Sequence, residues 1–371
     1  MTKTHTYLEI RHDAKGLLEI ANQYTLAFDD KLFKKIVVIL KGKRDPIAAR
    51  QIPADEIIFL ELSNLRGLNI HAIIKLLRIC QKHRVTHIVT HRYKPTQLIG
   101  LVTLFFQPKL VLAVIHGNHQ FDKFSRRIVS FLLFRKQYFK LIGVSETTRQ
   151  DIMRWLRFKP PQDIIGVPNC IDIEALEKNL TYRLTARKTL KLDPESFVFG
   201  NIARLTPAKD QITLLRAFHS VHDKMSTAVL IIIGRGRLES TLKQETIRLG
   251  ITDQVIFSGS IDHARHLMSA FDCFISTSIT EGFGLVIAEA MAAKRPIIAT
   301  RIGSFEEILG DTVPLVPCTN FEAIGQAMLK LYDSPEQQRR ISGNQLYRRV
   351  CEKFSSRVFR DRIQHIYQSS V

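Results

Sequence analysis

The sequence predicts an α/β protein made of two doubly wound parallel sheets, and three observations predict it. Short, continuous apolar runs rich in β-branched residues alternate with longer stretches of helical spacing, the pattern of parallel strands covered by helices on both faces. The alternation runs twice, interrupted in the middle by Val167, Pro168, Asn169, Cys170, Ile171 and Asp172. Finally, 371 residues with 45% hydrophobic and 24% charged side chains are enough for two ordinary cores.

In chain order, Thr6 to Ile10 reads as the first strand and leads through residues 11–16 into a helix with Leu17, Leu18, Ala21 and Tyr24 on one face. Ile36 to Leu40 and Ile57 to Leu60 follow as strands, then a helix over Ile70 to Lys82. His87 to Thr90, Leu110 to Ile115 and Leu141 to Val144 are strands ending in His91, in the pair His116 and Gly117, and in the pair Ser145 and Glu146. Beyond the interruption, a polar helical stretch reaches Leu192, and a second series has strands at Phe197–Ile202, Val229–Ile233, Gln254–Ser258, Phe271–Ser276 and Pro296–Thr300. Phe354 to Tyr367 has the spacing of a terminal helix. The expected domains are 1–170 and 171–354, with a cleft at the carboxyl ends of the strands.

Five widely spaced cysteines without a Cys-x-x-Cys pair fit a reducing compartment. The first residues lack the apolar stretch of a signal peptide, and the longest apolar run, Leu98 to Phe106, is far short of the roughly 20 residues that span a bilayer. A cytoplasmic location is expected. The net charge of +19 is unevenly placed: residues 1–170 hold 28 Lys and Arg against 13 Asp and Glu, the remainder 26 against 22. A basic N-terminal half invites nucleic acid or an anionic membrane. Phe124 to Lys140, with Arg126, Arg127, Arg135, Lys136 and Lys140 among Phe and Leu, reads either as an interfacial helix peripheral to a membrane or as a helix that buries Ile128, Phe131 and Leu132.

The most informative stretch runs from Ser276 to Glu289. A strand gives way to Gly282 and Gly284, which allow a sharp turn, and then to an Ala-rich helix whose first N–H groups suit a phosphate. Glu281 in the loop and Glu289 on the helix are placed to reach hydroxyls on opposite sides of a bound diphosphate, a layout for a sugar nucleotide. Glu281, Gly282, Phe283, Gly284 and Leu285 with Glu289 resemble the signature of glycosyltransferase family 4, retaining transferases of GT-B fold. The resemblance implies two Rossmann-like domains facing each other across a cleft, with the terminal helix, 355–371, returning to an acceptor-binding N-terminal domain. It also implies that Glu281 contacts the transferred sugar and Glu289 the nucleotide ribose.

Arg204 and Lys209, beyond a strand end, can neutralise a departing diphosphate. They resemble the family's Gly-Arg-Leu-x-x-x-Lys-Gly segment, with Ala203 and Asp210 in place of its outer glycines. Gly234, Arg235 and Gly236 are not a dinucleotide fingerprint, since residue 239 is Glu, and so NAD is not expected. Gly259 and Ser260 resemble the loop against the nucleotide base, and His116 the histidine beside the transferred sugar. In the first β-to-α loop, where the family has two glycines, Lys15 and Gly16 are expected to meet the donor, Lys15 adding a positive charge. No metal or cofactor is implied: no Asp-x-Asp ends a strand, and Asp172 with Glu174 opens a helix.

The implied reaction transfers a hexosyl group, with retention, from a UDP- or GDP-sugar to a hydroxyl of a glycan or lipid-linked acceptor, in lipopolysaccharide or other surface polysaccharide biosynthesis. A sugar-nucleotide epimerase of the same fold would need acid and base carboxylates, for which Asp13 and Glu146 are the candidates. A nucleic-acid binder would use the basic half and leave Glu281 and Glu289 without purpose.

Overall fold

The computed structural model describes residues 3–14, 17–65, 67 and 69–368. Its contacts divide the chain into two compact units, Met1–Asn169 with Ser356–Val371, and Cys170–Ser355.

The first unit holds seven strands: β1 (His5–Arg11), β2 (Phe33–Ile39), β3 (Glu56–Phe59), β4 (His87–His91), β5 (Leu110–Ile115), β6 (Phe139–Gly143) and β7 (Ile164–Gly166). They pair in parallel in the order β3-β2-β1-β4-β5-β6-β7. The second unit holds β8 (Phe197–Ile202), β9 (Ala228–Ile233), β10 (Val255–Gly259), β11 (Cys273–Ser276) and β12 (Ile297–Ala299), in the order β10-β9-β8-β11-β12 and again all parallel. Each sheet is thus doubly wound, and its order reverses once, at β1/β4 in the first and at β8/β11 in the second. The crevice beyond the carboxyl ends of such a strand pair is where this architecture binds ligands.

Both cores follow from the apolar strands. Leu112, Val114 and Ile142 in the first unit, and Leu230, Ile231 and Phe274 in the second, are fully buried. At Gly200 on β8, an added Cβ would lie 2.3 Å from the Phe271 ring, so only glycine admits this close packing. The helix Ser356–Gln368 packs on the helix Leu18–Ala27 through Phe359 against Tyr24, with ring centroids 4.9 Å apart, and Arg360 donates to Gln23 at 2.8 Å.

Three expectations are corrected. Phe124 to Lys140 is not one helix: the helix stops at Phe134, and Lys140 lies in β6. The stacking of Phe134 on Phe139, at 4.7 Å, folds the chain back between them. The terminal helix begins at Ser356, because Ser355 is extended (φ −71°, ψ 154°) and ends the preceding helix, Glu336–Phe354. Strand β7, three residues long, was not anticipated.

The helix Phe124–Phe134 buries Ser130, Leu133 and Phe134. Phe124, Ile128, Phe131 and Leu132 remain exposed on it, as do Leu104 and Phe105 on the segment before β5. Among the described residues, no helix is long and apolar enough to cross a membrane.

Candidate active site

In the second unit the site is built from the loops after β8 and β11, the two strands at which the sheet order reverses. Ala203 donates its N–H to Ile233 at 3.0 Å, and Leu205 to Arg235 at 3.0 Å. This lays the segment carrying Arg204 along the turn Gly234–Gly236. A Cβ on Gly234 (φ 148°) would come 1.9 Å from the Ala203 carbonyl oxygen, and one on Gly236 2.2 Å from that of Leu205. The glycines therefore serve the close approach of two backbones.

Lys209 ends a short 3₁₀ turn and is followed by Asp210 in the left-handed region (φ 47°). Glycine adopts this conformation without cost, and Asp is among the few other residues that tolerate it, which accounts for its standing where the resemblance has Gly. Asp210 then caps the helix Gln211–His219 by accepting from Thr213 N–H.

The loop after β11 is fastened to this turn. Thr277 Oγ1 donates to the carbonyls of Lys209 and Asp210, each at 3.0 Å, and Ile279 N–H donates to Ala208 at 2.9 Å. Thr300 Oγ1 holds the Ser278 carbonyl at 2.6 Å, while Ser278 Oγ donates to Glu281 Oε1 at 3.2 Å. Glu281 and Lys209 form an ion pair. Burial, then the nearby Arg204 charge, push the Lys209 ammonium down to about 8. The Glu281 carboxylate beside it acts in the opposite sense and keeps it cationic at neutral pH.

Gly284 (φ 100°) caps the helix Leu285–Ala292, with room for no Cβ against the Phe305 ring. The helix ladder opens with Ile287 N–H to the Gly284 carbonyl, so the donors of Gly284, Leu285 and Val286 precede it. Phe283 is buried, its ring against Phe354 at 5.6 Å. It anchors the loop, and only its backbone is left for a ligand. Glu289 pairs with Arg265 at 3.5 Å. Gly259 (φ 67°) accepts from Gly234 N–H at 2.7 Å, so the Gly259–Ser260 loop adjoins the turn that supports Arg204.

In the first unit, His116 lies just beyond β5. Its Nε2 is 3.0 Å from His91 Nδ1, and His91 Nε2 is 3.0 Å from Glu9 Oε1. Burial, with the charges of His91 and Arg92, holds the His116 imidazole well below its ordinary range. Nearby, a cavity of about 710 Å³ is lined by His12, Arg92, Tyr93, Lys94 and Arg126 among others, with no carboxylate among the described residues of its wall. Two larger cavities lie at the amino ends of strands: one includes Lys109 and Leu110, the other Phe197 and Pro296. Size alone does not mark the site. Lys15 and Gly16 lie outside the described residues.

The structure thus brings Arg204, Lys209 and Glu281 together and sets Gly259 beside their supporting turn. Sequence reasoning missed Arg265, Thr277, His91 and Glu9. Only the last left a signal, since Glu9 is a charged residue inside a strand that otherwise reads as buried. Asp172 caps the helix Ile173–Asn179 through Ala175 N–H. His119, Asp122 and Asp151 approach within 4.8 Å of one another, but the His119 N–H and ring already hydrogen-bond to the two aspartates.

Residues 183–346 match the model of the family "Glycosyl transferases group 1". The chain is 23% identical over 310 residues to the capsular polysaccharide biosynthesis glycosyltransferase CapM of Staphylococcus aureus, covering 81% of each chain. It is 25% identical to the Escherichia coli UDP-Gal:alpha-D-GlcNAc-diphosphoundecaprenol alpha-1,3-galactosyltransferase, over 62% of each. It spans only 33% to 54% of the length of four other curated relatives. Among solved structures, Anabaena Alr3699/HepE in complex with UDP superposes with a TM-score of 0.79 at 18% identity, covering 99% of this chain and 100% of that one. The fold is GT-B, two Rossmann-like domains, and over residues 183–346 the chain is similar to the glycosyl transferases group 1.

Proposed function

We propose that the protein is a retaining hexosyltransferase, of family 4 within that group, that uses a nucleoside diphosphate sugar. The observation that carries this reading is the meeting of Arg204, Lys209 and Glu281 at the carboxyl ends of β8 and β11. Two cations there stabilise the charge that grows on the diphosphate as the glycosidic bond breaks. Lysine has three donors, so Lys209 can serve both Glu281 and a phosphate oxygen. Glu281 then orients the transferred sugar, Glu289 with Arg265 takes the ribose, and Gly259 and Ser260 meet the base. HepE, whose solved complex holds UDP, supports a uridine donor.

In the reaction the acceptor hydroxyl oxygen forms the new bond to the anomeric carbon as the bond to the diphosphate oxygen breaks. The hydroxyl proton passes to that departing oxygen, so no protein carboxylate acts as base. His116, with the N-terminal unit, serves the sugar and the acceptor. The cationic cavity around Arg92, Lys94 and Arg126 suits an acceptor with a phosphate, and the diphosphoundecaprenol named for the Escherichia coli relative is of that kind. Surface polysaccharide or lipopolysaccharide synthesis is the setting, in the cytoplasm. The exposed face of Phe124, Ile128, Phe131 and Leu132, with Arg127 and Arg135 on the same segment, supports peripheral attachment to the membrane.

The epimerase reading is weaker. Glu146 is held below its ordinary range by Arg149, 2.8 Å away, and Asp13 lies 3.8 Å from Arg92, so both candidate carboxylates are engaged by arginine. The test is a panel of UDP- and GDP-sugars read by thermal stabilisation and slow donor hydrolysis. A donor at 100 times its Kd is expected to add about 2.7 kcal/mol. A panel in which no sugar nucleotide stabilises the protein or is hydrolysed would overturn the reading.

A further inference from the structure

The second unit carries another cationic cavity, at the end of its sheet away from Arg204 and Glu281, and the proposed transfer leaves it without a task. Its volume is about 820 Å³, the size of a small-ligand site. Phe197 opens β8, Asp272 stands just before β11 and Pro296 just before β12, so the cavity lies at the amino ends of these strands. Arg204 follows the carboxyl end of β8, whose six residues span roughly 20 Å. An anion held here is not the diphosphate of that reaction.

Six cations line the wall against three carboxylates, and the carboxylates do not balance them. Asp272 accepts from Arg183 at 2.6 Å and from Arg187 at 2.8 Å, so two guanidiniums already share it. Glu195 and Glu336 are exposed to solvent. Arg295 is half-buried, and its contacts are carbonyls, those of Ala293 at 2.8 Å and Phe271 at 3.1 Å. Among the described residues its Nη2 meets no acceptor. Burial, then the Arg183 charge, push its guanidinium below the ordinary range, and Asp272 restores only part of that. Arg187 is lowered by the same causes. Positive charge is therefore in excess inside the wall as well as at its rim. The helix Glu336–Phe354 adds to it, since it begins at the cavity with no side chain capping its first N–H groups. Arg339 on that helix donates through Nη1 to the carbonyls of Leu331, Tyr332 and Ser334 and lies 5.0 Å over the Phe197 ring. Its Nη2 stays open. Arg340 meets no acceptor at all among the described residues.

We propose that this cavity binds a small molecule bearing two or more phosphate groups, gripped by Arg295, Arg339 and Arg340. The planar fork of arginine meets phosphate oxygens two at a time. Three guanidiniums without a carboxylate call for more negative charge than the roughly −1.5 to −2 of one phosphate monoester. The site does not depend on the transferase reading.

The test is calorimetric titration of inorganic tripolyphosphate into the full chain carrying Arg204→Ala, which weakens any diphosphate grip at the other end of the sheet. One-site binding is expected. Arg340→Gln in that background, at an exposed residue with no protein partner, should weaken it at least about tenfold, the scale of one charge-assisted hydrogen bond. Arg295→Gln should do the same, with the thermal midpoint checking its fold. Lys353→Gln, an equal loss of charge at the far end of the helix Glu336–Phe354, should leave affinity within about twofold. No binding of tripolyphosphate, or binding that Arg340→Gln and Arg295→Gln leave unchanged, overturns the proposal. So does a loss in Lys353→Gln as large as in Arg340→Gln, which marks general attraction to a basic protein. Affinity for a single-stranded oligonucleotide without affinity for tripolyphosphate overturns it as well. UTP and fructose 1,6-bisphosphate separate two sources of the phosphates: tighter binding of either than of tripolyphosphate upholds the site and assigns it to a nucleotide or to a sugar phosphate.

Discussion

Lys209 and Glu281, 72 residues apart in the chain, form an ion pair beyond the ends of β8 and β11. Both side chains are mostly buried, at 15% and 17% exposure, and Arg204 adds a second positive charge nearby. In the proposed transferase, the carboxylate assigned to the sugar thereby also fixes the ammonium assigned to its phosphate. Glu281→Ala and Arg204→Ala are each expected to lower kcat/KM for transfer by at least about 100-fold, the scale of losing one preorganised charge contact. Thermal midpoints should stay near that of the unsubstituted protein. Full activity in either variant removes the site assignment.

The lowered Lys209 range gives a pH dependence with a definite sign. Binding a diphosphate requires the ammonium, which is present below about 8 and lost as pH rises through it. Donor affinity should therefore fall from about pH 8 upward. Lys209→Arg, which stays charged throughout this range, should remove that fall even if its overall affinity is lower. Titration of donor binding from pH 6.5 to about 9.5 reads both curves, the ordinary lysine range lying higher, near 10.4. Parallel curves would show that another group sets the limb.

What the sequence disclosed and what it concealed follow from where partners lie. Leu110–Ile115 has the bounds expected, because it is an apolar run closed by Lys109 and His116, and Phe197–Ile202 has them as well. Ile70–Lys82 does too, with Asn69 capping it through Ala72 N–H. Strand β7 was hidden because three residues are too few for a period, and its place is set by pairing with β6. In the site, Glu281 and Arg204 were legible through local glycine and strand-end patterns. Thr277 was not, since its partner Asp210 is 67 residues away, and neither was Arg265, 24 residues from Glu289. Contacts made between loops leave no local spacing to read.

One prediction concerns folding alone. Asp272, just before β11, accepts from Arg183 at 2.6 Å, from Arg187 at 2.8 Å and from Val198 N–H at 2.7 Å. Arg187 is 1% exposed. Asp272→Ala strands that guanidinium in the interior, and the expected loss is about 3–5 kcal/mol in urea unfolding. A loss under about 1 kcal/mol would mean that the carbonyls of Ala270 and Asp193, which Arg187 also meets, suffice.

Glu9 predicts the acid side of the stability curve. Its carboxyl lies near 4.5 when unfolded and is held at about 2 in the fold, so its contribution is fully present above about 4.5 and disappears as pH falls through about 2. The shift corresponds to roughly 3 kcal/mol. Glu9→Gln should be less stable at neutral pH and lose less on acidification, read as urea midpoints between pH 6 and the lowest pH at which the protein stays soluble. An identical acid slope in both proteins would assign the limb to other carboxylates.

The charge of the N-terminal half and the exposed apolar face converge on a membrane test. Ile128, Phe131 and Leu132, which an ordinary surface helix would bury, are 46%, 45% and 59% exposed, and Phe124 is 69% exposed. Arg127 stacks on Phe124 at 5.7 Å, and Arg135 caps the same helix, so cations border the apolar face. Such a face inserts side chains at the headgroup boundary while its cations meet anionic lipid. Binding to vesicles containing anionic lipid is expected, weakening as salt rises because salt screens attraction between the protein's cations and the lipid headgroups. Phe131→Ser with Leu132→Ser should reduce binding at every salt concentration, whereas Arg127→Gln with Arg135→Gln should chiefly flatten the salt dependence. Equal binding to neutral and anionic vesicles would remove the electrostatic half of the argument, and no binding to either would leave the face to a protein partner.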